Sequence, residues 1–242
     1  MIKDPTSLKG FLGRIIPASI IISWAGIAFA AQDPASSKGS TTAKTVNPTD
    51  GFKQYTDTYK VQQPYDLKVS DRFVETNGEY ICWVNKTDKP LKVGSTTGAR
   101  TEMRWKDWTR TEHRWEADVF VEPGTDHTAI MQVKSNTGGE PIYLQVQNNN
   151  LYNDNDIKTP AVVNFTGKWF HIVTGYNPET GLGQIWVNGE LKLTRTDKKP
   201  LETVWYFKNG VYNTSKTSKA HFKNVKFWIK DTTAAPSAPP AK

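Results

Sequence analysis

The chain has 242 residues, of which 37% are hydrophobic and 12% aromatic, and its nine Trp exceed what most soluble domains need. Its formal net charge of +7 favours polyanionic partners such as acidic polysaccharide, nucleic acid or a membrane surface. The single cysteine, Cys82, excludes an intrachain disulfide, and the four scattered His do not have the spacing of a structural zinc site. One sizeable core without a cofactor is therefore predicted.

Residues 1–30 have the pattern of a secretory signal peptide. Basic residues precede an apolar run from Ile15 to Phe29, and small residues flank Phe29 at the positions that a signal peptidase reads. An uncleaved membrane anchor is the alternative, although Pro17 and the short apolar run make a poor full span. The mature chain is therefore predicted to be secreted, extracellular or periplasmic, with no membrane contact after cleavage. Export favours polysaccharide over nucleic acid as its polyanionic partner.

The remaining chain divides into a linker, a folded domain and a tail. Residues 31–50 have the composition of a flexible linker, and the Ala/Pro-rich residues 232–242 that of a disordered tail. Residues 51–231 show short alternating or apolar runs between turn signals, without a convincing helical period. The predicted strands are residues 80–84, 100–105, 113–121, 129–134, 142–147, 169–176, 183–187, 190–195, 204–208 and 219–230. This pattern predicts an all-β jelly-roll sandwich of two antiparallel sheets with a concave groove.

Several predicted strands place polar residues along one face. Tyr143, Gln145 and Gln147 alternate with Leu144 and Val146. Amides, cationic side chains and aromatic rings are the groups that bind sugars, because hydroxyls and carboxylates need directional partners and pyranose rings need flat apolar surfaces. A solvated outer face is the alternative interpretation for any single strand.

Two further strands carry charged residues on one face. Arg100, Glu102 and Arg104 alternate, so that Glu102 can hold both guanidinium groups and leave one of them available for a ligand carboxylate. Near the end of the chain, Tyr206, Lys208 and Tyr212 alternate on one face, past a Gly210 that can form a bulge or turn. A surface ion-pair ladder and an amphipathic edge strand are the respective alternatives.

Three strings in this order resemble polysaccharide lyase family 7, the alginate-lyase jelly-roll group. RTEMR at residues 100–104 resembles that family's R-(S/T)-E-L-R strand, and QVK at 132–134 stands where its Q-(I/V)-H tripeptide belongs. YFKNGVYN at 206–213 resembles its Y-F-K-A-G-x-Y-x-Q signature. The resemblance covers about residues 100–228, but Lys134 replaces the family's histidine and the closing Gln is displaced or missing.

The resemblance implies a role for each matching residue. Arg100 and Gln132 would bind the uronate carboxylate, Tyr212 would be the acid and base, and Lys134 would stand in for the histidine. His113 is a candidate to replace the missing imidazole in space, with a structural histidine as the alternative. The remaining residues predicted to bind substrate along the groove are Glu102, Arg104, Gln145, Gln147, Tyr206 and Lys208.

The chemistry of such a site is β-elimination. Removal of the proton at C5 of a 4-linked uronide is opposed by the neighbouring carboxylate, and Arg and amide donors stabilise the charge that develops there. Tyrosine can take this proton and return one to the departing O4, and Lys134 could assist it or act as the base itself. No metal or cofactor is required. The predicted partner is an acidic polysaccharide bound by a monomer, with mannuronate, guluronate and glucuronate all left open.

Two other classes of protein fit parts of this sequence. A non-catalytic carbohydrate-binding protein could use the same fold, with Lys134 marking lost activity. A retaining glycoside hydrolase could use Glu116, Asp118 and Glu122. However, such an enzyme needs carboxylates about 5–5.5 Å apart, whereas Glu116 and Glu122 would be about 20 Å apart on a straight strand. The hydrolase is therefore disfavoured.

Overall fold

The structure is a computed structural model that describes residues 47–153 and 158–232. The predicted signal peptide lies outside the described residues, as do most of the predicted linker and tail. The described end of the linker forms a turn, in which the backbone N–H of Asp50 donates to the carbonyl of Asn47 at 3.1 Å. Within the described ranges, no helix is long and apolar enough to cross a membrane.

Nearly all regular structure in these ranges is β. A 3-10 helix (Val69–Asp71) precedes the third strand. The strands are β1 (Phe52–Tyr55), β2 (Tyr59–Gln62), β3 (Phe73–Thr76), β4 (Glu79–Val84), β5 (Arg100–Trp105), β6 (His113–Val121), β7 (Thr128–Ser135), β8 (Ile142–Gln147), β9 (Asn150–Asn153), β10 (Trp169–Asn177), β11 (Leu182–Val187), β12 (Glu190–Thr196), β13 (Trp205–Tyr212) and β14 (Ser218–Lys230).

These strands form two antiparallel sheets. The eight-stranded sheet has the order β12-β11-β10-β6-β14-β4-β3, with β1 paired to β14. The six-stranded sheet has the order β2-β5-β13-β7-β8-β9. Most neighbours within a sheet are distant in sequence, as when β13 lies between β5 and β7. The predicted all-β jelly roll of two antiparallel sheets is confirmed.

The core lies between the two sheets, where alternate residues of each strand are buried. Trp115, Ala117 and Val119 of β6 face it from one sheet, and Phe207 and Val211 of β13 face it from the other. All five side chains are fully buried. Burial of this apolar surface is the main favourable term in folding. Because side chains alternate along a strand, the polar residues between the core residues of the six-stranded sheet lie on its opposite face.

Each of the ten predicted strands is present, and those at 100–105, 113–121 and 142–147 have the predicted bounds. The predicted hairpin turn at Asn188 and Gly189 joins β11 to β12, and both residues have positive φ (50° and 82°), as a type I′ turn requires. The prediction missed β1, β2, β3 and β9. These strands have four residues each, which is too short for alternation to stand out from loop sequence.

Candidate active site

One row of polar side chains crosses four strands of the six-stranded sheet. Arg104 of β5 pairs with Lys208 of β13, Lys208 with Gln132 of β7, and Gln132 with Tyr143 of β8. Residues directly opposite each other on neighbouring strands point to the same side of a sheet. Parts of the three predicted motifs therefore lie side by side, on the face of the sheet that points away from the core. This surface is called the polar face below.

A second row lies towards one end of the polar face. Tyr212 pairs with Arg100 on one side and with Ala129 on the other, and Ala129 pairs with Gln145. Ala129 thus stands between Tyr212 and Gln145 in this row. This row brings together the residues predicted to bind a carboxylate and to exchange protons.

A β-bulge precedes Tyr212 where β13 pairs with β7. The register of β13 against β7 shifts between Asn209 and Tyr212. Asn209 is buried on the core side, where it accepts a hydrogen bond from Trp105 Nε1 at 2.7 Å. Gly210 has a φ of 149°, and a Cβ on it would lie 2.2 Å from the carbonyl oxygen of Thr101. Only glycine allows the two backbones to approach this closely, so the predicted bulge at Gly210 is confirmed.

Glu102 is at the centre of the polar face and is only 2% exposed. Its carboxylate accepts hydrogen bonds from Lys208 Nζ and Gln132 Nε2, and Arg100 Nη1 lies 3.6 Å from Oε2. Burial lowers the pKa of Lys208, and the attraction of Glu102 opposes that shift. Glu102 therefore contacts three of the predicted functional side chains, and its negative charge compensates the cations of Lys208 and Arg100.

Arginine and tyrosine stack at two places on the polar face. The guanidinium carbon of Arg100 lies 4.1 Å from the ring centroid of Tyr212, and that of Arg104 lies 4.0 Å from the ring centroid of Tyr206. Both distances are typical of cation–π contacts. Arg100 Nη2 also donates to Thr97 Oγ1 at 3.1 Å, while its buried Nε has no hydrogen-bond partner among the described residues. Arg100 thus keeps one unused, buried donor.

Lys134, which the sequence predicts to stand in for a histidine, pairs with Tyr206 rather than with Tyr212. Its ammonium forms an ion pair with Glu140. Burial raises the pKa of Tyr206, and the charges of Lys134 and Arg104 oppose that rise. At about 3.3 Å per residue, the five steps from Ala129 to Lys134 correspond to roughly 16 Å. Lys134 therefore belongs to the Tyr206 end of the polar face.

A cavity of about 660 Å³ opens beside the Tyr212 end of the polar face. Tyr143, Gln145 and Gln147 line it from β8, together with His127. Burial raises the pKa of the Tyr143 phenol. His127 Nδ1 lies 2.9 Å from Asp126 Oδ2, and its Nε2 lies 3.3 Å from Gln147 Nε2. His127 was not predicted as a site residue, because it precedes β7 in a turn where no alternation marks its direction.

The structure corrects the placement of His113. This residue lies on β6 in the eight-stranded sheet, on the core side, and is 7% exposed. Its ring stacks on Trp108 at a centroid distance of 4.5 Å, and Nδ1 lies 3.0 Å from the Tyr55 hydroxyl. Burial lowers the pKa of His113 to about 4. It is a structural histidine and does not reach the polar face.

The carboxylates of the disfavoured hydrolase are also remote from the polar face. Glu116 and Asp118 lie on β6 in the other sheet, where Glu116 accepts a hydrogen bond from Trp228 Nε1 at 2.8 Å. Glu122 lies 3.0 Å from His221 Nε2. In the part of the chain that the structure describes, no cluster of three or more His, Cys, Asp or Glu could hold a metal ion.

Comparison with known proteins gives one sequence relative that decides the family, while no family model matches the chain. A citrate-binding protein of Hevea brasiliensis is 34% identical over 197 residues, a match that covers 76% of this chain and 80% of that protein. The chain belongs to the family of this citrate-binding protein. The polar face is thus a feature of one member of that family.

Solved structures of alginate lyases share the fold of this citrate-binding protein family member. The alginate lyase AlgAT5 of polysaccharide lyase family 7 has a TM-score of 0.58 at 16% identity, over 70% of this chain and 93% of that one. An alginate lyase of Pseudomonas aeruginosa has a TM-score of 0.54 at 20% identity, over 70% and 97%. That of a Corynebacterium species has a TM-score of 0.58 at 13% identity, over 70% and 93%. The resemblance to family 7 is thus confirmed at the level of the fold.

Proposed function

We propose that this chain is a polysaccharide lyase that cleaves a uronate-containing polysaccharide, alginate or glucuronan-like, by β-elimination on the polar face. The observation that carries this proposal is the contact of the Arg100 guanidinium with the Tyr212 ring at 4.1 Å. It sets a carboxylate-binding cation against a phenol that can exchange protons. Elimination next to a carboxylate needs both groups at one place.

The first requirement of the reaction is neutralisation of the uronate carboxylate. Arg100 is the main donor, because its side chain is only 11% exposed and its buried Nε has no partner among the described residues. Gln132 is the second donor, held in position by Glu102. Loss of a preorganised donor of this kind costs about 3–4 kcal/mol of transition-state stabilisation. Both groups act on the charge that develops as the C5 proton leaves.

The second requirement is proton transfer. In the proposed reaction, Tyr212 accepts the proton from C5, the electrons of the C5–H bond form a C4–C5 double bond, and the bond from C4 to the bridging oxygen breaks. The same phenol then returns the proton to that oxygen. Lys134 contributes positive charge at the Tyr206 end, where it would bind another uronate with Arg104, Tyr206 and Lys208 along the polar face.

The test is the absorbance of the unsaturated product. Purified mature protein is incubated separately with polymannuronate, polyguluronate and glucuronan, and a rise in ultraviolet absorbance with one of them establishes the lyase and its substrate. Tyr212→Phe should lower turnover by about 10²–10⁴-fold, the usual contribution of a general acid or base, and largely retain binding. Tyr80→Phe, in the eight-stranded sheet, is the control and should keep full activity. Unchanged turnover in Tyr212→Phe would remove Tyr212 from the mechanism.

A non-catalytic carbohydrate-binding protein is the second candidate. It is favoured by the citrate-binding protein relative and by the existing contacts of Gln132 with Glu102 and of Lys134 with Glu140. Citrate and uronates both present carboxylates, so Arg100 could bind either without turnover. Binding to one polymer with no rise in absorbance from any would favour this candidate.

The proposal includes export of the protein as a monomer. Residues 1–30 would be removed as a signal peptide, and residues 31–50 and 232–242 would flank the domain as linker and tail. The domain itself would span residues 51–231. Sequencing the N-terminus of the exported protein tests the cleavage, and sedimentation of the purified protein tests the monomer.

A further inference from the structure

The cavity beside Tyr212 has a different chemical character from the rest of the polar face. Its lining joins β8 to the loops at residues 85–90, 97–99 and 213–215. Neutral groups that can both donate and accept hydrogen bonds dominate this lining; they include Asn85, Tyr143, Gln145, Gln147, Asn213 and Ser215. Amides and hydroxyls are suited to sugar hydroxyls, which also donate and accept.

Most of the charged groups in the lining are already engaged. Asp88 accepts hydrogen bonds from Arg72 Nε and Nη2, each at 2.7 Å. His127 contacts Asp126 at 2.9 Å. Lys86 is the remaining charged side chain among the lining residues within the described ranges, and it is exposed to solvent. The cavity therefore lacks a buried, available cation.

The polar face itself, by contrast, carries buried or half-buried cations. Arg100, Arg104, Lys134 and Lys208 all lie there, on β5, β7 and β13. Arg104, Lys134 and Lys208 are each ion-paired with a carboxylate, so the contrast with the cavity rests on Arg100, which shares Glu102 with Lys208 at the longer distance of 3.6 Å. A carboxylate moved from water to a site whose lining cation, Lys86, stays in solvent loses solvation that neutral donors restore only in part. A uronate is therefore favoured on the polar face beside Arg100 and disfavoured in the cavity.

The cavity also continues directly from the proposed reaction centre. Asn213 follows Tyr212 in the chain, and its backbone N–H donates to the carbonyl of Ala99 at 2.9 Å, next to Arg100. Gln145 lies in the same cross-strand row as Tyr212. A sugar unit linked to one held at Arg100 and Tyr212 would thus enter the cavity. Its volume of about 660 Å³ is ample for one sugar ring and lies within the roughly 300–1,000 Å³ typical of small-ligand sites.

We propose that this cavity binds a neutral pyranose unit, so that the preferred glycan of this protein joins a uronate to a neutral sugar. The uronate lies at Arg100 and Tyr212, and the neutral sugar lies against Gln145 and Gln147. This inference rests on the proposed function for the position of the uronate. The binding preference itself does not require turnover.

The test is calorimetric titration of the full-length Tyr212→Phe protein with three tetrasaccharides of equal length. One contains only uronate, one alternates uronate with neutral hexose, and one is neutral. The alternating ligand should bind about 10-fold more tightly than the all-uronate ligand, and the neutral ligand should bind most weakly. Adding Gln147→Ala or Ser215→Leu should remove the 10-fold preference by lowering affinity for the alternating ligand. Gln54→Ala, an exposed residue of β1, is the matched control and should keep the preference.

Equal or tighter binding of the all-uronate ligand would overturn the proposal. So would a loss of affinity in the two cavity variants that is the same for the alternating and all-uronate ligands. A failure of the proposed function gives a different result. If Tyr212-intact protein eliminates none of the polymers but the alternating ligand keeps its advantage, the cavity assignment stands and the lyase activity is wrong.

Discussion

At the scale of single residues, the buried carboxylate of Glu102 organises the polar face. The sequence predicts that Glu102 holds Arg100 and Arg104 together. In the structure it contacts Arg100 at 3.6 Å and Lys208 more closely, while Arg104 forms its ion pair with Asp107. Lys208 is 2% exposed, so Glu102 compensates an ammonium that water cannot reach. Its role is therefore structural as well as electrostatic.

Glu102→Gln should lower the free energy of unfolding by about 3–5 kcal/mol, because it leaves the buried ammonium of Lys208 without a compensating charge. Urea unfolding measures the change as a lower midpoint at an unchanged slope. The matched control is Glu190→Gln, which breaks the exposed pair of Glu190 with Lys192. The midpoint of this control should not move measurably. Equal midpoints for Glu102→Gln and the native protein would contradict the assigned role of Glu102.

At the scale of elements, β13 is the strand on which the site depends. It lies between β5 and β7 and carries Tyr206, Lys208 and Tyr212 on one face. Lys208 and Tyr212 share the polar face by regular alternation, and the pairing of β13 with β5 is regular. The bulge at Gly210 shifts the register of β13 against β7 alone, and so sets Tyr212 opposite Ala129. A change that straightens this strand would move the proposed acid and base without touching it.

Gly210→Ala should destabilise the domain by about 2–4 kcal/mol, because its Cβ would overlap backbone atoms of β5 and the positive φ adds strain. Calorimetric unfolding measures the loss, and turnover should fall with it as Tyr212 is displaced. The control is Gly183→Ala in β11, where φ is not positive and the nearest atom to a Cβ is Ile142 Cγ1 at 3.4 Å. It should cost less than about 1 kcal/mol. Similar losses in the two variants would argue against the close approach at Gly210.

Individual strands were predictable to the extent that their own residues carry the signal. β5 and β8 alternate between side chains that face the core and side chains of the polar face, and their predicted bounds agree with the structure. β13 was predicted to end at residue 208 when read by alternation alone, whereas it continues through the bulge to Tyr212. The short strands β3 and β9 are defined by pairing with a neighbour rather than by a pattern of their own.

At the scale of the whole molecule, the packing of one sheet on the other converts a candidate site histidine into a core residue. His113 stacks on Trp108. The ring centroid of Trp108 in turn lies 6.3 Å from that of Trp205 and 5.6 Å from that of Phe207, both in the six-stranded sheet. Burial favours the neutral imidazole, so its pKa is lowered from 6.5 to about 4. The stability of the fold should therefore depend on pH through this residue.

The expected dependence follows from proton linkage. Between pH 6.5 and about 4, the unfolded chain binds a proton at His113 that the folded protein does not bind. The contribution of His113 to the free energy of unfolding is therefore fully present above pH 6.5 and is lost as the pH falls towards 4. The loss should be roughly 3 kcal/mol over the window. Unfolding of His113→Gln, compared with native protein at pH 7.5 and pH 4.5, should show a smaller loss. The exposed His127→Gln should show the native loss, and a native-like loss in His113→Gln would contradict the assignment.

The sequence by itself determined the fold class, most strands, and which residues of β5, β7, β8 and β13 share a polar face, because alternation is a local property of each strand. Only the tertiary structure decided which of these residues meet. Register between distant strands places Gln132 beside Lys208 and Lys134 beside Tyr206, and it places Ala129 beside Tyr212. The packing of two sheets removes His113 from the site, and loops from three parts of the chain form the cavity. These contacts arise from long-range pairing and shared burial, which no local pattern records.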